Sequence, residues 1–412
     1  MNAPLSRPAP GRVRPFAKTR TPTTPKLLKL ILGRELAPTR QEYDAVCDAT
    51  WDGDKAMDAL VDWMYAYGPR QARPLFEQAL DKGVSSIKDC PQPLIDFFRS
   101  VDTPPAWLDR ELVNEGAHFI HGTGMSALYV LRDLALMGGY LLSGFNQSLV
   151  MTGALSKGTS RRVAETGKWW MDCTEPDGLD RFGPAFKSTL HVRMVHGLVR
   201  RNLAARPEWD SAMWALPLNQ IDMVATYLGF SVVMLGGLRK LGIPVTPRES
   251  KAVLHLWSYA CWLMGVEEKW LVHTESAGVL LLNHTFMTQS RPDWTTRELA
   301  EGLANEPLER TYAHFQGLRR QWDYHTHLST TQYFLGTQKM AQLGLPENIT
   351  SWFPLLTLPP RFVSYTGRRF VPGLRAAKER KGRQTQRDML AALFGDSEHD
   401  IIRPGADHPA SM

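Results

Sequence analysis

Residues 184–205 read PAFKSTLHVRMVHGLVRRNLAA, and the fold class follows from how this stretch is punctuated and spaced. Gly183 and Pro184 open it, with proline in a first turn where its missing N–H costs nothing, and Pro207 closes it. Between these breakers, Val192, Val199 and Leu203 lie at −4, +3 and +7 from His196, the spacing of one helix face. Arg193, His196 and Arg200 stand at i, i+3 and i+7 and share a face as well. The stretch therefore predicts a helix that sets an imidazole in a largely apolar stripe, with a cation on each side.

The same rhythm runs outward in both directions, from about residue 40 to 345, and strand-like alternation is scarce. Gly and Pro fall between the periodic runs, as at Pro91–Pro93, Pro104–Pro105, Pro176–Gly178 and Gly242–Pro247. This order predicts an all-α fold, a single large helical domain over residues 26–372. A basic, proline-rich flexible tail is expected over 1–25, and a basic helix with a flexible end over 373–412. Three long stretches lack charge: Leu134–Ser156, Met223–Leu238 and Ala252–Val266. The first is long enough to span a bilayer but carries Gly138, Gly139, Ser143, Asn146 and Gln147, a polar load that lipid would penalise. All three are expected to be central helices, apolar nearly all round because they are buried nearly all round.

Composition narrows the function. Hydrophobic residues make 43% and charged residues 22% of the 412, which excludes a disordered or fibrous chain. Lys+Arg 48 against Asp+Glu 42 leaves only +6, too little basic bias for a dedicated nucleic-acid binder. Thirteen Trp and sixteen Met point to thick helix contacts and large buried pockets. Cys47, Cys90, Cys173 and Cys261 are scattered with no CxxC, so a cysteine zinc site is not expected and four reduced thiols are. The amino-terminal cations, among them Arg7, Arg12, Arg14 and Lys18, are interleaved with prolines and lack a signal-type apolar run. These features predict a cytoplasmic protein whose basic tails make at most weak contact with an anionic membrane surface.

Two further segments carry chemistry. In SRRVAETGKWWMDC, residues 160–173, Arg162 and Thr166 are i, i+4 and Glu165 lies beside them. In the run from Leu216 to Ser231, Asn219, Gln220 and Asp222 head a helix whose next sixteen residues are uncharged, the place where capping and the helix dipole favour such side chains. An imidazole in an apolar stripe flanked by arginines suits haem b, which needs an apolar slot, an axial His and cations for two propionates. The residues alone more readily give a core histidine beside arginines in internal ion pairs, an exposed helix turn with an Arg–Glu pair, and a simple cap.

Taken together, in this order and spacing, the three segments resemble the MpaB-type oxygenases and their relatives, the latex clearing proteins, over roughly residues 45–345. The resemblance implies an all-α, globin-like core with one b-type haem. It implies that His196 is the proximal iron ligand, with Arg193 and Arg200 as the family's arginines on either side of it. Arg162 and Thr166 match the family's distal-side arginine and threonine. Two positions depart from latex clearing proteins: Glu165 stands where they carry a distal lysine, and an ungapped count puts Asn146 where they carry an acidic residue used as a base. Those proteins are also secreted. The implied activity is that of a haem-dependent oxygenase acting with O2 on a small apolar substrate, an alkene of terpenoid or lipid type, with Arg162, Glu165 and Thr166 at the reacting side. A non-catalytic haem sensor or carrier, and a haem-free helical protein binding a lipid or isoprenoid, are the rival readings. Of the other histidines, His118, His121, His191, His255, His273 and His284 are expected to be satisfied core or surface groups.

Overall fold

The computed structural model describes residues 7–19, 24–153 and 158–395, and among these it contains helices and no strand. The elements that position the site are α1 (Lys55–Tyr67), α2 (Arg110–Thr123), α3 (Met125–Gly139), α4 (Ser143–Met151), α5 (Thr159–Cys173) and α6 (Pro184–Ala204). They are followed by α7 (Gln220–Lys240), α8 (Pro247–Leu263), α9 (Trp294–Asn305), α10 (Gln316–Leu335), α11 (Trp352–Gly367) and α12 (Leu374–Phe394). The helix read from residues 184–205 is therefore present, one residue shorter at its end.

Helix starts obey local chemistry. Asn219 caps α7, its Oδ1 accepting from the Asp222 N–H at 3.0 Å. Thr246 and Glu249 form a reciprocal capping box ahead of α8, with Pro247 in its first turn. α8 is the centre of the molecule: every residue from Ala252 to Cys261 is buried. It packs on α2 backbone to backbone, because a Cβ on Gly116 would lie 2.6 Å from the Ala252 carbonyl oxygen. α12 closes on α2 in the same way, where a Cβ on Gly382 would meet the His121 carbonyl. α6 packs between α1 and α5.

Of the three uncharged stretches, Ala252–Val266 and Met223–Leu238 lie in core helices, as expected. α7 is long and apolar enough to cross a membrane, yet 67% of its most apolar window is buried within the fold. Leu134–Ser156 is not one helix. α3 and α4 meet at a 94° bend beyond Gly138–Gly139, where two glycines in succession weaken the helix; residues 154–156 lie outside the described part. α3 and α7 each contain a π-helical turn, Val130–Leu136 and Gly229–Val233, and the two turns pack on one another.

The described parts of both tails are tied down. Residues 7–19 lie against the body, with Arg12 buried and donating through Nη1 to Asp222 Oδ2 at 3.0 Å and through Nε to the Thr288 carbonyl at 2.6 Å. The expected free tail is corrected here: a guanidinium with a buried carboxylate partner holds the chain, however many prolines surround it. Likewise α12 is packed rather than peripheral, its Arg383 buried and paired with Glu175 at 2.8 Å. Residues 1–6, 20–23 and 396–412 lie outside the described part. Cys47, Cys173 and Cys261 are buried free thiols and Cys90 is half-buried, as the scattered cysteines suggest.

Substituting Arg12→Ala strands the Asp222 carboxylate without its charge partner. Urea unfolding at pH 7 should show a loss of about 3–5 kcal/mol, and adding Asp222→Asn should recover much of it. A single-variant change within experimental error would mean that the amino-terminal segment does not dock in solution.

Candidate functional site

A cavity of about 3680 Å³ opens among α3, α5, α6 and α7, with α10 contributing to its wall. It exceeds the few hundred Å³ typical of small-ligand pockets, and mostly apolar side chains line it. From α6 the wall takes Val192, Val195, His196, Val199 and Leu203, which is the apolar stripe read from the sequence with the imidazole inside it.

What fixes the rotation of α6 is the pair of arginines flanking that histidine. Arg193 donates through Nε and Nη2 to Asp54 at 2.5 and 2.8 Å and through Nη1 to the Leu263 carbonyl, at the negative end of the α8 dipole. Asp54 is itself the cap of α1, accepting from the Met57 N–H. Arg200 donates through Nε to Asp58 at 2.8 Å and through Nη1 to the Leu218 carbonyl. Both arginines are buried, and neither lies on the cavity wall. The expected placement beside a cofactor is therefore corrected: the geometry uses Arg193 and Arg200 to bolt α6 to α1 and α8, and so to point His196 into the cavity.

His196 carries the unusual chemistry. Its Nδ1 is sealed from solvent and has no hydrogen-bond partner. Burial, and after it the Arg200 cation, pushes its pKa down to about 4 from 6.5, so the ring is neutral at pH 7 with a lone pair to give. The remaining predicted residues come together on the α5 side of the same cavity: Arg162, Glu165 and Thr166 all line it. Arg162 Nη1 is buried without a partner. Glu165 is paired with Arg161 at 3.0 Å along the helix. Asn146 is off the wall, buried and donating to the Tyr140 carbonyl at 2.8 Å, so it braces the bend between α3 and α4.

The wall also holds groups that the spacing does not single out. Asp222, fixed by Arg12, faces the cavity. Arg132, Arg310 and His327 border it as part of a buried network. There Arg132 bonds Asp133 and Glu306, Arg310 bonds Glu306, and His327 meets Asp133 at 2.8 Å. Burial pushes Asp133 up to about 7, while Glu306, against the cost of its own burial, is held at about 2 by Arg310 and Arg132. The one signal for this network is Arg132–Asp133, a charged pair next to an otherwise apolar run. Three other histidines are satisfied as expected: His121 meets the Thr174 carbonyl at 2.6 Å, His191 meets Glu77 at 2.6 Å, and His255 accepts from the Asp109 N–H at 2.8 Å. His284 departs from the expectation, since its Nε2 is buried without a partner, but it lies off the cavity wall.

A family model described as the ER-bound oxygenase mpaB/B'/rubber oxygenase catalytic domain matches residues 123–370, more than half of the chain, and takes in α3, α5, α6, α7 and α10 of the cavity wall. The chain belongs to this family. The rubber oxygenase of Streptomyces sp. (strain K30) is 26% identical over 208 residues, 49% of this chain and 48% of that protein; the chain thus aligns with about half the length of this relative. A latex clearing protein solved in its closed state superposes with a TM-score of 0.62 at 20% identity, over 86% of this chain and 94% of the other. That likeness is one of fold, and it agrees with the all-helical architecture.

A sealed, unpartnered imidazole nitrogen costs stability in the cofactor-free chain. Unfolding returns it to water and to 6.5, so the unfolded chain takes the proton first as pH falls, and the fold loses ground between about pH 6.5 and 4. His196→Leu should therefore raise the unfolding free energy of the cofactor-free protein by about 1 kcal/mol at pH 7 and make its acid dependence shallower. His121, also pushed to about 4, retains part of that dependence. Urea titrations at pH 7 and pH 5 check this; a destabilised His196→Leu protein at pH 7 would reveal a hydrogen bond that the ring does make.

Proposed function

We propose that the protein is a haem b-dependent oxygenase that uses O2 on a small apolar substrate, an alkene of terpenoid or lipid type. The observation that carries this reading is His196, a neutral, half-buried imidazole on the wall of a large, mostly apolar cavity, with its Nδ1 sealed and without a hydrogen-bond partner. The residues present fit the group. Haem needs only one protein ligand, and His196 can supply it. The cavity has room for a macrocycle and an apolar substrate together.

His196 would hold the iron. When bound, the haem supplies oxygen activation, which the protein's own side chains cannot perform. The chain supplies the surroundings. Val192, Val195, Val199 and Leu203 exclude water and favour a hydrocarbon over a polar ligand. Arg162 brings a cation to the α5 side of the same wall, with its Nη1 sealed and without a partner. Glu165, oriented by Arg161, is a carboxylate positioned to accept a proton at the wall. A small substrate is preferred to rubber because Glu165 replaces the distal lysine of latex clearing proteins and Asn146 is off the wall.

Protein purified after growth with a haem precursor should show a strong Soret band and about one b-type haem per chain in a pyridine haemochrome assay. His196→Ala should lose the band, and the wild type should consume O2 in the presence of terpenoid or lipid alkenes. A colourless protein that fails to take up haemin removes this mechanism and leaves the lipid-binding reading. A loaded protein that turns over no alkene leaves the sensor or carrier.

A further inference from the structure

Large apolar side chains crowd one face outside the cavity. α11 exposes Leu355, Leu356, Pro359, Pro360, Phe362 and Val363, residues three and four apart that share a face. Leu356 is 72% and Val363 70% exposed, and Phe370 and Val371 in the turn after the helix are exposed too. At the start of α10, Phe315, Leu318 and Trp322 repeat the spacing, and all three are exposed. The two faces join where the Trp322 and Trp352 rings meet edge to face at 5.4 Å. Soluble monomers rarely present a patch of this kind to water without a partner.

The charges around the patch identify the partner. From Asn348 to Lys378 the chain holds Arg361, Arg368, Arg369, Arg375 and Lys378 and neither Asp nor Glu. Of the acids beside it, Glu249 is engaged by Arg368 and Arg369, Glu379 by Arg375 and Asp323 by Arg310, while Glu347, just before the segment, is exposed. Arg368 is buried, but Arg369 and Arg375 are exposed and Arg319 at the start of α10 adds a third exposed cation, so an apolar face with tryptophan and a net positive edge complements a surface with an anionic rim above an apolar layer. We infer that α11 and the start of α10 form a peripheral docking face for an anionic phospholipid bilayer. The inference does not rest on the haem reading. It adds a route to it, because α10 also carries His327 and Leu335 to the cavity wall and so links the docked face to the cavity. It also moves the expected membrane contact away from the tails, where Arg12 and Arg383 are committed to Asp222 and Glu175.

The full-length protein should float with phosphatidylcholine vesicles containing about 30 mol% phosphatidylglycerol and much less with phosphatidylcholine alone, and added salt should weaken the binding. Leu356→Glu with Val363→Glu should reduce binding by about tenfold or more, with an unchanged circular dichroism melt, since both positions are open to solvent. Wild-type protein that ignores the anionic vesicles overturns the proposal, as does a double variant that binds them equally well. A wild-type dimer that the double variant converts to monomer in light scattering also overturns it, because the face then belongs to a second copy of the chain. None of these readings depends on haem content.

Discussion

Two guanidinium–carboxylate pairs, Arg193 with Asp54 and Arg200 with Asp58, decide which way α6 faces. A helix of apolar and basic residues in a crowded core could rotate to several near-equal packings. Charges taken out of water admit only the rotation in which each finds its partner. Such pairs add little net stability over a well-packed apolar replacement, because desolvation offsets the attraction, but breaking one leaves a bare charge and is costly. Their contribution is to specificity of packing. The cost of that specificity falls on His196, which is turned toward a cavity with nothing from the protein to bond it.

The cavity wall is firm on the side away from α6. Arg132, Asp133, Glu306, Arg310 and His327 form a closed set in which nearly every charge meets an opposite one or a ring nitrogen. Burial pushes His327 well below its ordinary range, so the ring stays neutral between its neighbours. A network with every member satisfied behaves as a rigid brace. It fastens α3 to the segment beyond α9 and to α10, across nearly two hundred residues of chain.

Local rules made much of this legible in the sequence. The bounds of α6, the cap at Asn219 and the all-helical class follow from breakers, periodicity and spacing, while the gathering of Arg162, Glu165 and Thr166 with His196 is implied by the family resemblance. Partners do not. The pattern places Arg193 and Arg200 beside His196 on a helix surface, but whether they meet a cofactor or a carboxylate depends on Asp54 and Asp58, some 139 and 142 residues away in sequence. Arg12 reads as part of a loose basic tail because Asp222 lies 210 residues further on. The bend between α3 and α4 hides in a stretch whose lack of charge suggests one continuous helix. Periodicity specifies a face; only the tertiary fold specifies what the face meets.

The π turns in α3 and α7 have an evolutionary corollary. A π turn accommodates a residue more than an α turn within the same helix. Removing that residue would restore regular winding and swing everything beyond it by about 100°. Both turns border the cavity, so a single-codon deletion there would re-deal the wall without touching the buried clamps on α6. The architecture thus separates two kinds of change: the grip on the imidazole is conservative, while the shape of the chamber opposite it can be altered in discrete, one-residue steps.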